Sequence, residues 1–331
     1  MSLAPKIFFT FALALGQLAA QPRNFPQPAP PREVTIAAIP GVIDGGAKWT
    51  LVYHSEVNSD GIVGSRDGGL LFAQEQRNHI AKLDKNDKYS VFLPNLHGPG
   101  AVAIRASGQI LAVERTCTDP GAKPDECREP TDIAEVTPMR KVLADNFMGK
   151  GLGRINDLVA AKNGGVYFTS GGAYYVSPAG QVSSVGENLR TNGINLSRDE
   201  KTLYITNGPA IMAFDVQPDG SVKNQREFAK LEAGGNGDGM AIDSEGRLYD
   251  ATGPGIQVIS AEGKYLGLIP TPRSAISVAF SGPGKKWLYL VGNGGLGPDG
   301  KEITTAPGVR NTAMTIYKIP MMAQGFKGRA K

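Results

Sequence analysis

The feature that most limits what this chain can fold into is a short strand pattern that recurs six times. A small or polar residue leads into an apolar stretch that ends on an aromatic or large apolar side chain. The copies are Gly69-Leu70-Leu71-Phe72, Gly108-Gln109-Ile110-Leu111, Gly165-Val166-Tyr167-Phe168, Lys201-Thr202-Leu203-Tyr204, Gly246-Arg247-Leu248-Tyr249 and Lys286-Trp287-Leu288-Tyr289. Their last positions are 72, 111, 168, 204, 249 and 289, giving intervals of 39, 57, 36, 45 and 40. A unit of this size, made of short strands and turns, cannot bury its own apolar faces and must pack against its neighbours. A repeat near 40 residues therefore predicts an all-β, six-bladed β-propeller with four-stranded antiparallel blades.

The order within a unit repeats too. In the third unit a small-apolar strand, Leu158-Val159-Ala160, is followed by the turn Lys162-Asn163-Gly164, then the aromatic strand, then a third strand around Tyr174 to Ser177. After Tyr289 the last unit has one more strand, Thr315-Ile316-Tyr317-Lys318-Ile319, and Pro320 stops it before a fourth. Trp49-Thr50-Leu51-Val52-Tyr53 precedes the first copy with no unit of its own. If it supplies the missing outer strand, the ring closes with no open edge.

Composition agrees with this architecture. The 41% hydrophobic content excludes disorder, while 43 Gly and 23 Pro spread along 331 residues fit many tight turns. A formal net charge of only +4, with no basic stripe carrying interleaved aromatics, gives no reason to expect nucleic acid.

Four segments follow from these patterns. Residues 1–20 read as a signal peptide, with Lys6 as the basic region, Ile7 to Leu15 as the apolar core and Leu18-Ala19-Ala20 as the cleavage region. That apolar run is too short to span a membrane, so the mature chain is expected to have no span and to be secreted or periplasmic, acting as a monomer. Residues 21–33 form a Pro-rich linker, 34–319 the propeller and 320–331 a basic C-terminal tail. Cys117 and Cys127 share one loop, and in an oxidising compartment they are expected to form a disulfide that stabilises by about 2–3 kcal/mol. With two cysteines and only His54, His79 and His97, widely separated, no zinc-site spacing appears.

In a propeller the first strand of each blade lines the central channel, and its start opens on one face. Counting back from the landmarks finds Asp60, Asn156 and Asn192 twelve positions before Phe72, Phe168 and Tyr204, and Asp238 eleven before Tyr249. Asn-Gly and Asp-Gly pairs are also ordinary turn formers, and this chain has others, such as Asn163-Gly164 and Asn293-Gly294. What distinguishes these four is their shared register. Two carboxylates and two amide oxygens about one axis suit a hard divalent cation, with water completing the shell. Without a cation the two carboxylates would repel each other.

The run Arg154-Ile155-Asn156-Asp157, then Asn192-Gly193-Ile194, then Gly237-Asp238-Gly239-Met240-Ala241-Ile242-Asp243 resembles the SMP-30/gluconolactonase/luciferin-regenerating enzyme family. Ala213-Phe214-Asp215 and Gln217-Pro218-Asp219-Gly220 add to the likeness, which covers about residues 49 to 319. The resemblance implies a six-bladed propeller with one divalent metal in its channel, most often Ca2+, with Zn2+, Mn2+ or Mg2+ as alternatives. It implies a small-molecule lactone as substrate, Asn156, Asn192 and Asp238 as metal ligands, and Arg154 as a substrate contact. The chain departs from the family in the first blade, where Ser59-Asp60-Gly61-Ile62 offers Asp in place of the usual Glu.

Lactone hydrolysis needs a polarised carbonyl, a deprotonated water and a stabilised oxyanion. A metal supplies the first, and Asp238 is the candidate catalytic base. Arg154 and Asp157 are candidates for binding ring hydroxyls or a substrate carboxylate, with a structural ion pair as the competing role for Arg154. Two long loops, residues 115–132 in the second blade and 292–311 in the sixth, are expected to rim the site. A phosphotriesterase-like hydrolase and a non-catalytic, metal-stabilised binding propeller are the alternatives. Gly292-Asn293-Gly294-Gly295-Leu296-Gly297 matches a dinucleotide fingerprint only formally, because Pro298-Asp299-Gly300 follows in place of a helix.

Overall fold

The computed structural model describes residues 25–115 and 130–329. Six four-stranded antiparallel sheets are arranged as the blades of a propeller. Blade 1 comprises Val63–Gly64, Leu70–Gln74, His79–Leu83 and Tyr89–Leu93, and blade 2 Pro99–Ile104, Ile110–Glu114, Asp132–Glu135 and Lys141–Ala144. Blade 3 comprises Asp157–Ala160, Val166–Ser170, Gly172–Val176 and Val182–Val185. Blade 4 comprises Thr191–Leu196, Thr202–Asn207, Ala210–Val216 and Val222–Lys230, and blade 5 Met240–Ile242, Leu248–Ala251, Gly255–Ile259 and Tyr265–Pro270. Blade 6 takes Ala275–Ser281, Trp287–Asn293 and Met314–Pro320 from the end of the chain and Thr50–Ser55 from its beginning.

That outer strand pairs antiparallel with the last one, Thr50 opposite Lys318 and Ser55 opposite Met314, with an irregularity between Leu51 and Tyr53. The ring is thus closed by the strand that the repeat count left without a unit. Antiparallel pairing needs only tight turns, and the sequence supplies them. In blade 3, Gly164 at φ 89° donates to Ala161 O at 3.0 Å, while Asn163 Oδ1 accepts Gly165 N at 3.0 Å.

All six landmark residues lie in the second strands and are buried. Apolar side chains between adjacent blades form six clusters, one for each interface around the ring. Phe168 packs between blades 2 and 3 and Tyr249 between blades 5 and 6. Stability is therefore spread over six similar seams instead of one central core.

Both ends of the described chain dock onto the ring. Ile36, Ile39, Val42 and Ile43 pack against blades 5 and 6, and Met322 N and Ala323 N each donate to Val42 O at 3.0 Å. Residues 25–33, read from the sequence as a linker, are held in place. Gln27 Oε1 accepts from Thr305 N at 3.1 Å and Asn311 Nδ2 at 3.2 Å, and Arg32 donates to Thr271 O at 2.9 Å and Pro254 O at 2.6 Å. Prolines keep this segment extended without a sheet partner. Two backbone attachments join those of the Gln27 and Arg32 side chains, Arg32 N donating to Pro272 O at 2.8 Å and Ala29 O accepting from Arg273 at 3.1 Å. No helix among the described residues is long and apolar enough to cross a membrane.

Candidate functional site

The starts of the six first strands gather around one mouth of the channel, and neighbouring starts touch. Gly239 N of blade 5 donates to Ile276 O of blade 6 at 2.9 Å. Gly193 of blade 4 lies so close to Asp238 O of blade 5 that a Cβ there would collide with it. Only glycine permits this approach, which brings Asn192 and Asp238 onto adjacent strands with no side chain between their backbones.

Asp60, Asn156, Asn192 and Asp238 all stand at this mouth, each partly exposed. Three occupy the ladder position just beyond the first strand. Ala73 N donates to Asp60 O at 2.9 Å, Asn156 N to Thr169 O at 2.8 Å, and Asp238 N to Ala251 O at 2.9 Å. Asn192 is anchored by its backbone instead: its N donates to Thr206 Oγ1 at 3.1 Å and its carbonyl accepts from the Thr169 hydroxyl. Asp60 is partly committed locally, because its Oδ1 accepts Gly61 N at 2.7 Å.

Asp157, a candidate substrate contact, is engaged within the ring. It is buried, with Oδ1 accepting Leu158 N at 2.9 Å and Oδ2 accepting Ile194 N at 3.2 Å from the neighbouring blade. Its carboxylate satisfies backbone donors across the seam between blades 3 and 4, which is a structural use of the charge.

Arg154 leads to a residue that counting back from the landmarks did not reach. Its Nη1 and Nη2 donate to Oε1 and Oε2 of Glu75 at 2.9 and 3.1 Å. Arg115 grips the same carboxylate through Nε and Nη2 at 2.9 and 3.0 Å and donates to Ile155 O at 2.6 Å. Asn58 Nδ2 adds a bond to Glu75 Oε2 at 3.2 Å, and Asn58 Oδ1 accepts Asp60 N at 2.9 Å. Burial pushes the Glu75 carboxyl up, but Arg115 and then Arg154 overcome that and hold it below its ordinary value, ionised. The ion-pair role of Arg154 is thus realised, with its side chain still 28% exposed. Blades 1, 2 and 3 are pinned together beside Asp60.

Asp250 is the opposite case. It is fully buried at the end of the second strand of blade 5, and neither carboxylate oxygen has a hydrogen-bond partner. Burial, and then the nearby charge of Asp238, push its carboxyl well above the ordinary value. A signal for both residues was present, since Asp250 interrupts the apolar run Leu248-Tyr249-Asp250-Ala251 and Glu75 lies three positions after Phe72. Counting forward from the landmarks, to the ends of the second strands, reaches the same mouth.

These residues fit a hard cation. Among the described residues no three His, Cys, Asp or Glu side chains converge, so a bound ion would depend on the Asn156 and Asn192 amide oxygens and on water beside Asp238. The unpartnered Asp250 supports such an ion, because a buried carboxylate beside the partly exposed Asp238 is costly until a positive charge joins them.

The 292–311 loop leaves the second strand of blade 6 on this face. It is tied down by Arg273, which donates to both oxygens of Glu302 at 3.0 and 2.6 Å. The other long loop begins at Arg115 on the same face. Its residues 116–129, with Cys117 and Cys127 and hence the expected disulfide, lie outside the described residues.

Residues 58–292 match the family described as SMP-30/Gluconolactonase/LRE-like region. The chain is 28% identical over 255 residues to a gluconolactonase of Zymomonas mobilis, a match covering 64% of this chain and 69% of that one. It is 29% identical over 187 residues to a pentonolactonase of Haloferax volcanii, covering 52% of this chain and 64% of the other. Among solved structures, a gluconolactonase from Xanthomonas campestris superposes with a TM-score of 0.66 at 21% identity, covering 92% of this chain and 99% of that one. A calcium-binding regucalcin from Agrobacterium tumefaciens gives 0.63 at 16% identity, covering 83% and 94%. At these identities the structural matches speak to the fold, whereas the sequence match spans most of the propeller, first blade to sixth. The chain belongs to the SMP-30/gluconolactonase/LRE-like family.

Proposed function

We propose that this protein hydrolyses sugar-type lactones at the mouth of its channel, with a divalent cation, Ca2+ in the first instance, held by Asp238, Asn192 and Asn156 and by Asp60 directly or through water. The observation that carries the reading is the set of four Asp and Asn residues at the starts of first strands, with the unpartnered Asp250 beside one of them. The named lactonases among the relatives supply the substrate class.

When bound, the cation polarises the lactone carbonyl and favours a deprotonated water. The protein's own residues do the rest. Asp238 takes a proton from the attacking water as its oxygen bonds to the carbonyl carbon, and returns that proton to the ring oxygen when the ring C–O bond breaks. The product is a hydroxy acid that ionises in neutral water, so each turnover releases one proton. Arg154, aligned by Glu75, turns donors toward the ring hydroxyls, and its pairing keeps the guanidinium from folding away. The 292–311 loop and the docked segment 25–33 would shape the outer wall on blades 5 and 6 and so bear on which lactone fits. A secreted or periplasmic setting belongs to the same proposal and is supported by the signal-like pattern of residues 1–20 in the sequence.

The test is acid release from gluconolactone by purified protein, before and after chelation and with Ca2+, Zn2+, Mn2+ or Mg2+ restored. Turnover that disappears on chelation and returns with one ion supports the reading. Turnover only on phosphotriesters would favour the phosphotriesterase-like alternative. A metal-free protein with no turnover on either class would leave a binding propeller.

A further inference from the structure

The opposite end of the channel carries different chemistry. The C-terminal segment after Pro320 crosses this end. Phe326 N donates to Ile242 O at 3.2 Å, and Arg329 reaches the finish of the first strand of blade 4, donating to Ser197 O at 3.1 Å and Asn195 Oδ1 at 3.0 Å. Arg329 is only 6% exposed, yet its Nε has no partner. It forms the floor of a cavity of about 330 Å3 whose wall and rim include Lys285, Arg105, Arg66 and Lys327.

Five cationic residues line this space, Arg66 also donating to Ala106 O, and the negative charge near them is small. Glu135 pairs with Arg105 at 3.3 Å and Glu200 lies 3.8 Å from Arg329, while among the described residues no carboxylate lies within ion-pair distance of Arg66, Lys285 or Lys327. Asp67, next to Arg66, is engaged with Lys82 and Ser65. Nor does Lys285 extend into solvent as a surface lysine would, since its Nζ is fixed to Phe326 O at 2.8 Å. Burial, and then Arg329 and Lys327, push its ammonium down to about 8. Placing like charges around a concave, partly desolvated space is unfavourable unless an anion joins them.

We propose that this closed end is a binding pocket for a phosphorylated small molecule, held by Arg66, Lys285, Lys327 and Arg329 with Arg105 at its side. Phosphoryl groups match the donor set, because one such group can accept from several guanidinium and ammonium groups at once. The cavity is concave and its volume is in the range of small-molecule sites, which favours a soluble ligand over a lipid headgroup on a flat surface.

Calorimetry on the full chain with inorganic pyrophosphate, at an ionic strength balanced with sodium chloride, tests the proposal. One saturable site is expected. Arg66→Gln with Lys285→Gln should weaken it at least about 30-fold, while lactone turnover and circular dichroism stay as in the parent protein. Arg66→Gln alone alters an exposed rim residue and should weaken binding about 5-fold, so the result stands even if the double variant folds poorly. Asp238→Ala should leave pyrophosphate affinity unchanged, since that residue is at the other end. Absence of saturable binding, an unchanged affinity in the double variant, loss of binding only in Asp238→Ala, or capture by anionic phospholipid vesicles without pyrophosphate binding would each overturn it.

Discussion

Among the buried groups without a partner in the described residues are a carboxylate at the mouth of the channel, Asp250, and part of a guanidinium at the opposite end, Arg329. The same strands serve both ends. Met240–Ile242, for example, has Asp238 before its start and Phe326 bonded to its last residue. Because the seams between blades are filled by apolar side chains, the ring can hold itself together without these groups, and the two ends are free to differ in charge. The mouth contains its own internal contrast. Glu75, equally buried, meets five N–H donors and is held ionised, while Asp250 meets none and is pushed toward neutrality. A buried carboxylate surrounded by built-in cations is a fastening; one without them is a place where a cation is favoured.

The hardest blow to this contrast comes from Asp238→Ala. Loss of the candidate base and ligand should lower kcat by about 1,000-fold or more in a folded protein, measured by acid release with calcium present. Near-normal turnover would remove the chemistry from the mouth.

Glu75→Gln should then cost about 3–5 kcal/mol in urea unfolding, because two guanidiniums lose a buried counter-charge. Its pH dependence has a definite sign. The Glu75 carboxyl is lowered in the folded protein, so its contribution is present above the ordinary carboxylate range and is lost as pH falls through the folded value. The acid unfolding midpoint of Glu75→Gln should therefore lose that component. If the variant and the parent share one acid profile, Glu75 is not the fastening described here.

For Asp250→Asn the expected outcome is reversed. The metal-free protein should be at least as stable as the parent, since a costly buried acid is replaced by a neutral amide. Calcium affinity should fall about 10- to 100-fold, read by calorimetry and by a smaller calcium-induced rise in Tm. A variant that loses stability but keeps its calcium affinity would make Asp250 a second fastening.

The smallest effect belongs to the closed end. Lys285 titrates near 8 in the folded protein, below the ordinary lysine value of 10.5, so between these values the unfolded chain holds more protons and stability rises with pH. Lys285→Gln should flatten that rise in a Tm series from pH 7.5 to about 10, a window set by the shifted group. Saturating pyrophosphate should flatten it too by keeping the ammonium charged. Burial pushes the neighbouring Arg329 down as well, to about 10 at the top of this window, so the part of the rise that Lys285→Gln removes is the part nearer 8.

How far the residues alone could lead differs between the ring and its contents. The landmarks from Phe72 to Tyr289 carried the strand count, and Pro320 with Trp49 to Tyr53 carried the closure, because each reflects a local rule of period, turn or stop. Asp60, Asn156, Asn192 and Asp238 were legible for the same reason, each standing eleven or twelve positions before a landmark. For Asp157 the sequence gives its place at the start of the strand but not which way its carboxylate turns. In the fold it turns to Ile194 N, 37 residues on, and its charge is used there.

The sequence by itself determined the number of blades, the strand that closes them and the residues at the start of each first strand, since all three depend on spacing along the chain. Only the tertiary structure decided that Glu75 is clasped by Arg115 and Arg154 while Asp250 is not, and that Arg329 returns beneath blade 4. Those outcomes depend on which side chains from distant segments meet in a space without water, where a missing partner is costly, and spacing along a chain does not encode that.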